Sequence, residues 1–276
     1  MSGTESGTEV GEKPGAGAKM HEELTQNLLL RMKEAGVIVR SQFGEHKDPI
    51  YKGRIDLVTK TDLAVEAFLR DALPKMLPGS SVLGEESHTT LIPDDLTWIV
   101  DPLDGTTNYA HGLPIFSTSV GLWHQEQVVL GAVYIPILDE LFWAVRGQGA
   151  FLNGNPIKVS DQNDMVKSLF ATGFPYDFHL EVDLINERFK RVLLASQGVR
   201  RFGSAAVDLA YTACGRFEGF YETGLHPWDT AAGWLLVEEA GGKVTGITGE
   251  KHKLGEYMIV ATNGLVHDEL LNLIQV

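Results

Sequence analysis

Cysteine is almost missing from this chain. Cys214 is the only one in 276 residues, which excludes an intramolecular disulfide and any cysteine-based metal cluster. It ends an apolar helical run, Ala205 to Ala213, the setting of a small buried residue rather than a nucleophile. Basic charge is also short: 23 Lys and Arg stand against 37 Asp and Glu, a formal net charge of −14. A nucleic-acid or acidic-membrane surface needs the opposite sign. The one local basic cluster, Arg188, Lys190 and Arg191 with Arg200 and Arg201, is small and mixed with acids. No apolar stretch approaches bilayer-spanning length and the N-terminus has no hydrophobic signal core, so the sequence reads as cytoplasmic, with no membrane and no direct nucleic-acid partner.

What is present is enough apolar residue, 43%, to bury a sizeable core. Residues 1–19 carry little to bury and read as a disordered tail ahead of a single domain, 20–276. From His21 to Gln42, Leu24, Leu28, Met32, Ala35 and Val39 recur at helical spacing. A polar loop, Gly44 to Arg54, holds Lys47 and Lys52 and can act as a lid. Ile55 to Thr59 reads as a strand, and Thr61-Asp62 as the cap of a helix that runs to Met76. Ser81 to Gly84 and Leu96 to Val100 read as strands. From Phe116 to Val159, alternating runs separated by polar or Gly/Asn turns predict an antiparallel meander, with Gly147-Gln148-Gly149 a hairpin turn rather than a dinucleotide loop. The last third alternates strands and helices, closing with Val266 to Ile274. The pattern predicts an α+β body with two β layers and helices between and around them.

The chemistry concentrates where Trp98-Ile99-Val100 runs into Asp101-Pro102-Leu103-Asp104-Gly105-Thr106-Thr107-Asn108. Two carboxylates three apart across a Pro-containing turn can converge on a hard divalent cation, which takes oxygen ligands. Gly105 permits close backbone approach to an anion, and Thr106-Thr107 open a short helix whose N–H groups suit a phosphate. The same residues also describe an ordinary Asp-Pro turn. Glu85 and Glu86 follow a second strand and Asp229 opens a helix, where a carboxylate is favoured by the helix dipole in any case. Taken together the acids suggest a site for two or three divalent ions; taken singly each has a plain structural reading.

Gly84-Glu85-Glu86, then Asp101 to Asn108, then Trp228-Asp229-Thr230-Ala231-Ala232-Gly233 resemble the ordered signatures of the inositol monophosphatase family. The resemblance runs from about Met20 to Val276 and includes Asp56 to Asp62, Gly203 to Ala206, and Glu222 to His226. It implies a layered α-β-α-β-α sandwich of the inositol monophosphatase and fructose bisphosphatase type, magnesium dependence with two or three Mg²⁺ per site, lithium sensitivity and a homodimer. By matching position, Glu85, Asp101 and the Leu103 carbonyl hold one ion, and Asp101, Asp104 and Asp229 a second. Asp62 and Thr106 form the pair that activates the attacking water, with Glu85 also counted as catalytic. Gly105 and Thr106 bind phosphate, Asp104, Ser204, Ala205, Glu222 and Asp229 contact substrate, and the loop lysine falls on Lys52.

The implied reaction is hydrolysis of a small phosphorylated polyol or sugar, first of all myo-inositol 1-phosphate, by direct attack of a metal-activated water. Fructose-1,6-bisphosphatase, histidinol-phosphatase and nucleotide 3′-phosphatase activities are the rivals, each wanting added basic or aromatic residues at the pocket. A regulatory partner of the transcription machinery is the alternative of another class. His226 reads as structural or near substrate, Glu86 as support for Glu85, and Trp98, Trp228 and Trp234 as core.

Overall fold

The computed structural model of the protein describes residues 16–44, 50–53 and 57–276. Most of the predicted tail and lid loop, and Ile55 and Asp56, lie outside the described residues. The first helix, α1 (Ala16–Gln42), starts ahead of the predicted His21, since Ala16, Ala18 and Lys19 are strong helix formers that let an established helix carry back. A short antiparallel pair, β1 (Ile50–Tyr51) and β2 (Leu57–Val58), precedes α2 (Lys60–Met76). Its cap is Thr59 rather than Thr61. The Thr59 hydroxyl accepts from Thr61 N at 3.2 Å, and Asp62 closes the capping box by accepting from Thr59 N at 2.9 Å. Asp62 is thereby fixed at the start of a helix, its second oxygen left for other work.

Next come β3 (Ser81–Gly84), β4 (Thr97–Asp104) and the short helix α3 (Thr106–Ala110). The predicted meander follows as β5 (Ser117–His124), β6 (Gln127–Ile135), β7 (Glu140–Val145), β8 (Gly149–Leu152) and β9 (Asn155–Ile157). β3 runs parallel to β4 and the rest are antiparallel neighbours, giving a seven-stranded sheet in sequence order. The last third supplies β10 (Leu169–Thr172), α4 (Val182–Ala195), β11 (Gly198–Arg200), α5 (Ala205–Ala213), β12 (Gly219–Thr223), α6 (Pro227–Glu239), β13 (Lys243–Thr245), β14 (Met258–Thr262) and α7 (His267–Ile274). Its strands form a mixed five-stranded sheet, order β11-β10-β12-β14-β13, with β11 the predicted edge.

Alternation along the strands sorts these parts into five layers. Trp98, Val100, Val120, Leu122, Leu130 and Ala132 face α1 and α2, while Ile99, Val133 and Ile135 face the central pair α5 and α6. In the second sheet Ala171, Phe220 and Ala261 share a row toward α5 and α6. Phe170, Tyr221 and Val260 face α4 and α7 on the far side. The result is the expected α-β-α-β-α sandwich. Helix α6 sits unusually close to the large sheet: a Cβ on Gly131 would lie 3.0 Å from Ala232 Cα, and one on Gly121 3.0 Å from Ala231 Cβ. Bare strand surface below and alanine above let the helix approach, which brings its first turn, with Asp229, over the end of β4. Among the described residues no helix is long and apolar enough to cross a membrane.

Candidate active site

The Asp-Pro-Leu-Asp segment is not a turn after a strand, as the sequence suggests, but part of β4 itself. Asp101 pairs with Ser119 and Asp104 with Ser117, so three steps on β4 match two on β5. In a regular strand, residues three apart point to opposite faces. The extra residue, a β-bulge, turns Asp104 back onto the face that Asp101 occupies. Both carboxylates therefore look toward α5 and α6. Glu85 is held beside them because Glu85 N continues the parallel ladder, donating to Val100 O at 3.1 Å.

Each acid is tied down by donors. Asp101 Oδ1 accepts from Leu103 N at 2.9 Å, Asp104 Oδ2 from Ser204 Oγ and Ala206 N at 2.7 Å each, and Asp229 Oδ2 from His226 N at 2.6 Å. Ser204 does so while capping α5, where its hydroxyl also accepts from Val207 N. One ligand oxygen from each of Asp101, Asp104 and Asp229 lies within 4.8 Å of the others. At an effective dielectric near 20, like charges that close repel by roughly 3–4 kcal/mol per pair. Burial first, then mutual repulsion, holds the Asp101 and Asp229 carboxyls well above the usual range. Burial likewise raises Asp104 to about 6, against the hydrogen bonds from Ser204, Ala206 and Ala205. An all-oxygen, crowded, desolvated acid cluster suits a hard divalent cation, whose charge would offset that repulsion.

Glu85 stands at the rim of this trio rather than within it. Lys52 Nζ lies 3.0 Å from both Glu85 Oε1 and Glu86 Oε1. Burial lowers the lysine's affinity for its proton, but the two carboxylates more than offset this and leave it raised. Glu86 N in turn donates to Glu66 Oε2 at 2.7 Å.

Gly105, at the cap of α3, has φ +95°, and a Cβ there would press on Gly203 O and Ile115 O at 3.1 Å. Glycine is thus required by the turn and by the packing beneath it. Thr106 Oγ1 lies 2.9 Å from both Asp62 Oδ1 and Leu103 O. A hydroxyl has one proton, so it serves one of these acceptors at a time. Asp62 does not line the cleft and reaches it only through Thr106. Burial raises its carboxyl to about 6 in spite of bonds from Thr59 and Thr106.

These groups line one cleft of about 440 Å³, together with Ser204, Ala205 and Glu222. Glu222 comes from β12 and is pushed up to about 8 by burial. The sequence reading missed the opposite wall. Phe174, Pro175, Tyr176 and Phe178, just after β10, and Arg201, just after β11, also line the cleft, as does His88, whose ring packs on Trp228. His226, read as structural or near substrate, lines it too and caps α6. The basic cluster dissolves: Arg188 is buried, its Nε donating to Ile274 O, while Arg201 faces the cleft. Trp98, Trp228 and Trp234 are core, as expected.

A five-layered α+β sandwich with this acid-lined cleft is the architecture of a phosphatase, and comparison with known proteins supports the class. The inositol monophosphatase family profile matches residues 20–275. Inositol monophosphatase 1 of Solanum lycopersicum is 41% identical over 250 residues, covering 88% of this chain and 91% of the relative. Nus factor SuhB of Salmonella typhimurium is 39% identical over 254 residues, 91% of this chain and 95% of the relative. The crystal structure of extragenic suppressor protein suhB from Bartonella henselae superposes with a TM-score of 0.86 at 37% identity, covering 91% of this chain and 97% of the other. The chain belongs to the inositol monophosphatase family.

Proposed function

We propose that the protein hydrolyses small phosphate monoesters, with myo-inositol 1-phosphate the first candidate, and that it does so with Mg²⁺. The observation that carries this is the convergence of Asp101, Asp104 and Asp229 on one face at the end of β4 and α6. Those three, with Glu85 and the Leu103 carbonyl, are the residues to hold two or three ions. Bound there, the ions would supply charge neutralisation and Lewis acidity toward the ester and water.

The chain's own groups then divide the rest. Thr106 Oγ1 orients the water and passes a proton to Asp62 Oδ1, a carboxylate whose raised affinity suits a base near neutral pH. The Gly105-Thr106 backbone receives phosphate at the start of α3. Asp104, Ser204, Ala205 and Glu222 orient leaving-group hydroxyls. The homodimer, the lithium sensitivity and the cytoplasmic setting belong to the same reading. A phosphate-release screen over inositol 1-phosphate, fructose 1,6-bisphosphate, histidinol phosphate and adenosine 3′,5′-bisphosphate, with and without Mg²⁺ and Li⁺, tests it. Turnover that needs Mg²⁺ and is suppressed by Li⁺ is expected; no release from any ester sinks it.

The relative named Nus factor SuhB supports a second reading, a regulatory partner of the transcription machinery. Capture of the same proteins from extract by wild type and by an inactive Asp229→Asn variant would favour it.

A further inference from the structure

The two walls of the cleft carry opposite surpluses. One holds five carboxylates, Glu85, Glu86, Asp101, Asp104 and Asp229, while the other holds, besides Glu222, a guanidinium that no carboxylate among the described residues has taken. Arg201 is exposed, lines the cleft and lies over the Phe174 ring, 5.5 Å from its centroid. Its Nη1 occupies the space a side chain on Gly203 would need, 2.5 Å from an ideal Cβ. Ring and glycine thus settle the guanidinium in place, and a stacked guanidinium presents its N–H groups at its edge. Among the described residues none accepts a hydrogen bond from it. Its charge is nevertheless felt by Glu222 and Asp104, the carboxylates assigned to leaving-group hydroxyls. Lys52, the other cation lining the cleft, is already committed to Glu85 and Glu86.

We infer that Arg201, seated on Phe174, is a specificity-determining residue that receives a second phosphate carried by the leaving group. The inference rests on the phosphatase reading and narrows its substrate class toward bisphosphorylated sugars or polyols. A planar fork of donors matches phosphate oxygens two at a time, and a charge-assisted pair of this kind contributes about 1.5–3 kcal/mol, or roughly 10- to 100-fold in affinity. An inositol or sugar ring without that substituent leaves the fork to water.

The test is a matched pair, fructose 1-phosphate and fructose 1,6-bisphosphate, which differ only in the second phosphate. For the wild-type protein with Mg²⁺, phosphate release from the 1-position should show a kcat/KM ratio favouring the bisphosphate by about tenfold or more, expressed in KM. Arg201→Ala should collapse that ratio toward one, and Arg201→Lys should keep part of it, because an ammonium retains the charge without the fork. A ratio that Arg201→Ala leaves intact overturns the inference, and so does an equal loss on both esters, which would assign Arg201 to the transferred phosphate. No turnover of either fructose ester by a wild-type protein that hydrolyses inositol 1-phosphate overturns this inference and leaves the phosphatase reading standing, whereas no release from inositol 1-phosphate or any other ester overturns both.

Discussion

The acid wall and the aromatic wall of the cleft are built by different rules. The acids sit at the ends of regular elements, on β4, at the cap of α6 and just past β3, and each aspartate of the trio is gripped by at least one backbone N–H. Phe174 to Phe178 and Arg201 sit on connections after strands of the second sheet, with Arg201 lying over the Phe174 ring and Phe178 N donating to Pro175 O. The first wall keeps like charges together at a cost in stability and has little freedom to vary. The second lines the cleft opposite the acids and, under the proposed function, faces the leaving group. Under the proposed function, most of the metal-binding groups fall on the first sheet and α6, and the groups proposed to select the leaving group on connections of the second sheet.

The largest effect that would break this division is on the acids. Asp101→Asn should lower turnover by about three orders of magnitude or more, since it removes a ligand from a cluster asked for several kcal/mol of charge stabilisation. It should also raise the melting temperature of the metal-stripped protein, because one desolvated, repelled carboxyl becomes neutral. Calorimetric Mg²⁺ titration and thermal melts measure both. Turnover within about tenfold of wild type would remove Asp101 from the machinery.

A smaller effect tests how rigidly the acid wall depends on its backing. Gly131→Ala places a methyl 3.0 Å from Ala232 Cα and should cost about 1–3 kcal/mol by overpacking. It should also lower turnover by about tenfold, because α6 must lift and carries Asp229 with it. A variant destabilised to that extent but fully active would show that the helix position is not what sets the site.

The smallest effect on turnover concerns a histidine packed on the middle of the same helix. His252 is buried against the Trp234 ring, 5.0 Å between centroids, with Glu256 Oε2 3.5 Å from its Nδ1. Burial lowers its affinity for a proton to a pKa of about 4, against the pull of Glu238 and Glu250. The unfolded chain therefore takes up that proton first as pH falls. Stability contributed by the neutral ring is complete above about pH 6.5 and declines toward pH 4, by up to about 3 kcal/mol. Thermal melts across this range should show the slope, and His252→Asn should flatten it. The slope that remains combines His267, also buried and lowered to about 4, with Asp62 and Asp104, whose raised carboxyls act in the opposite sense. Identical slopes in both proteins would acquit His252.

Much of the acid wall was legible in the sequence, because its residues sit close together and at element ends that local pattern can mark. Glu85 after a strand and Thr106 opening a helix follow from short-range rules. The bulge was not legible: Pro102 signals a turn as readily as a kinked strand, and only pairing with Ser117 and Ser119 decides. The cap of α2 was misplaced by two residues, since Thr59 and Thr61 offer the same hydroxyl and only the extended backbone of Thr59 chooses between them. The aromatic wall escaped because Phe174-Pro175-Tyr176 looks like any strand exit. Arg201 escaped because Arg188 and Arg200 stand near it in sequence but not in its direction. Both depend on the order in which the strands of the second sheet lie side by side.

The bulge between Asp101 and Asp104 has a consequence for how this segment can change over time. A residue lost or gained there would not simply shorten or lengthen a loop. It would reverse the inward and outward sense of Asp104 and throw Gly105 and Thr106 out of register together. Substitutions can accumulate along β4 one at a time, whereas a single insertion or deletion must fail outright. The distance between the two aspartates is in effect a ruler that the gene cannot rescale by one codon.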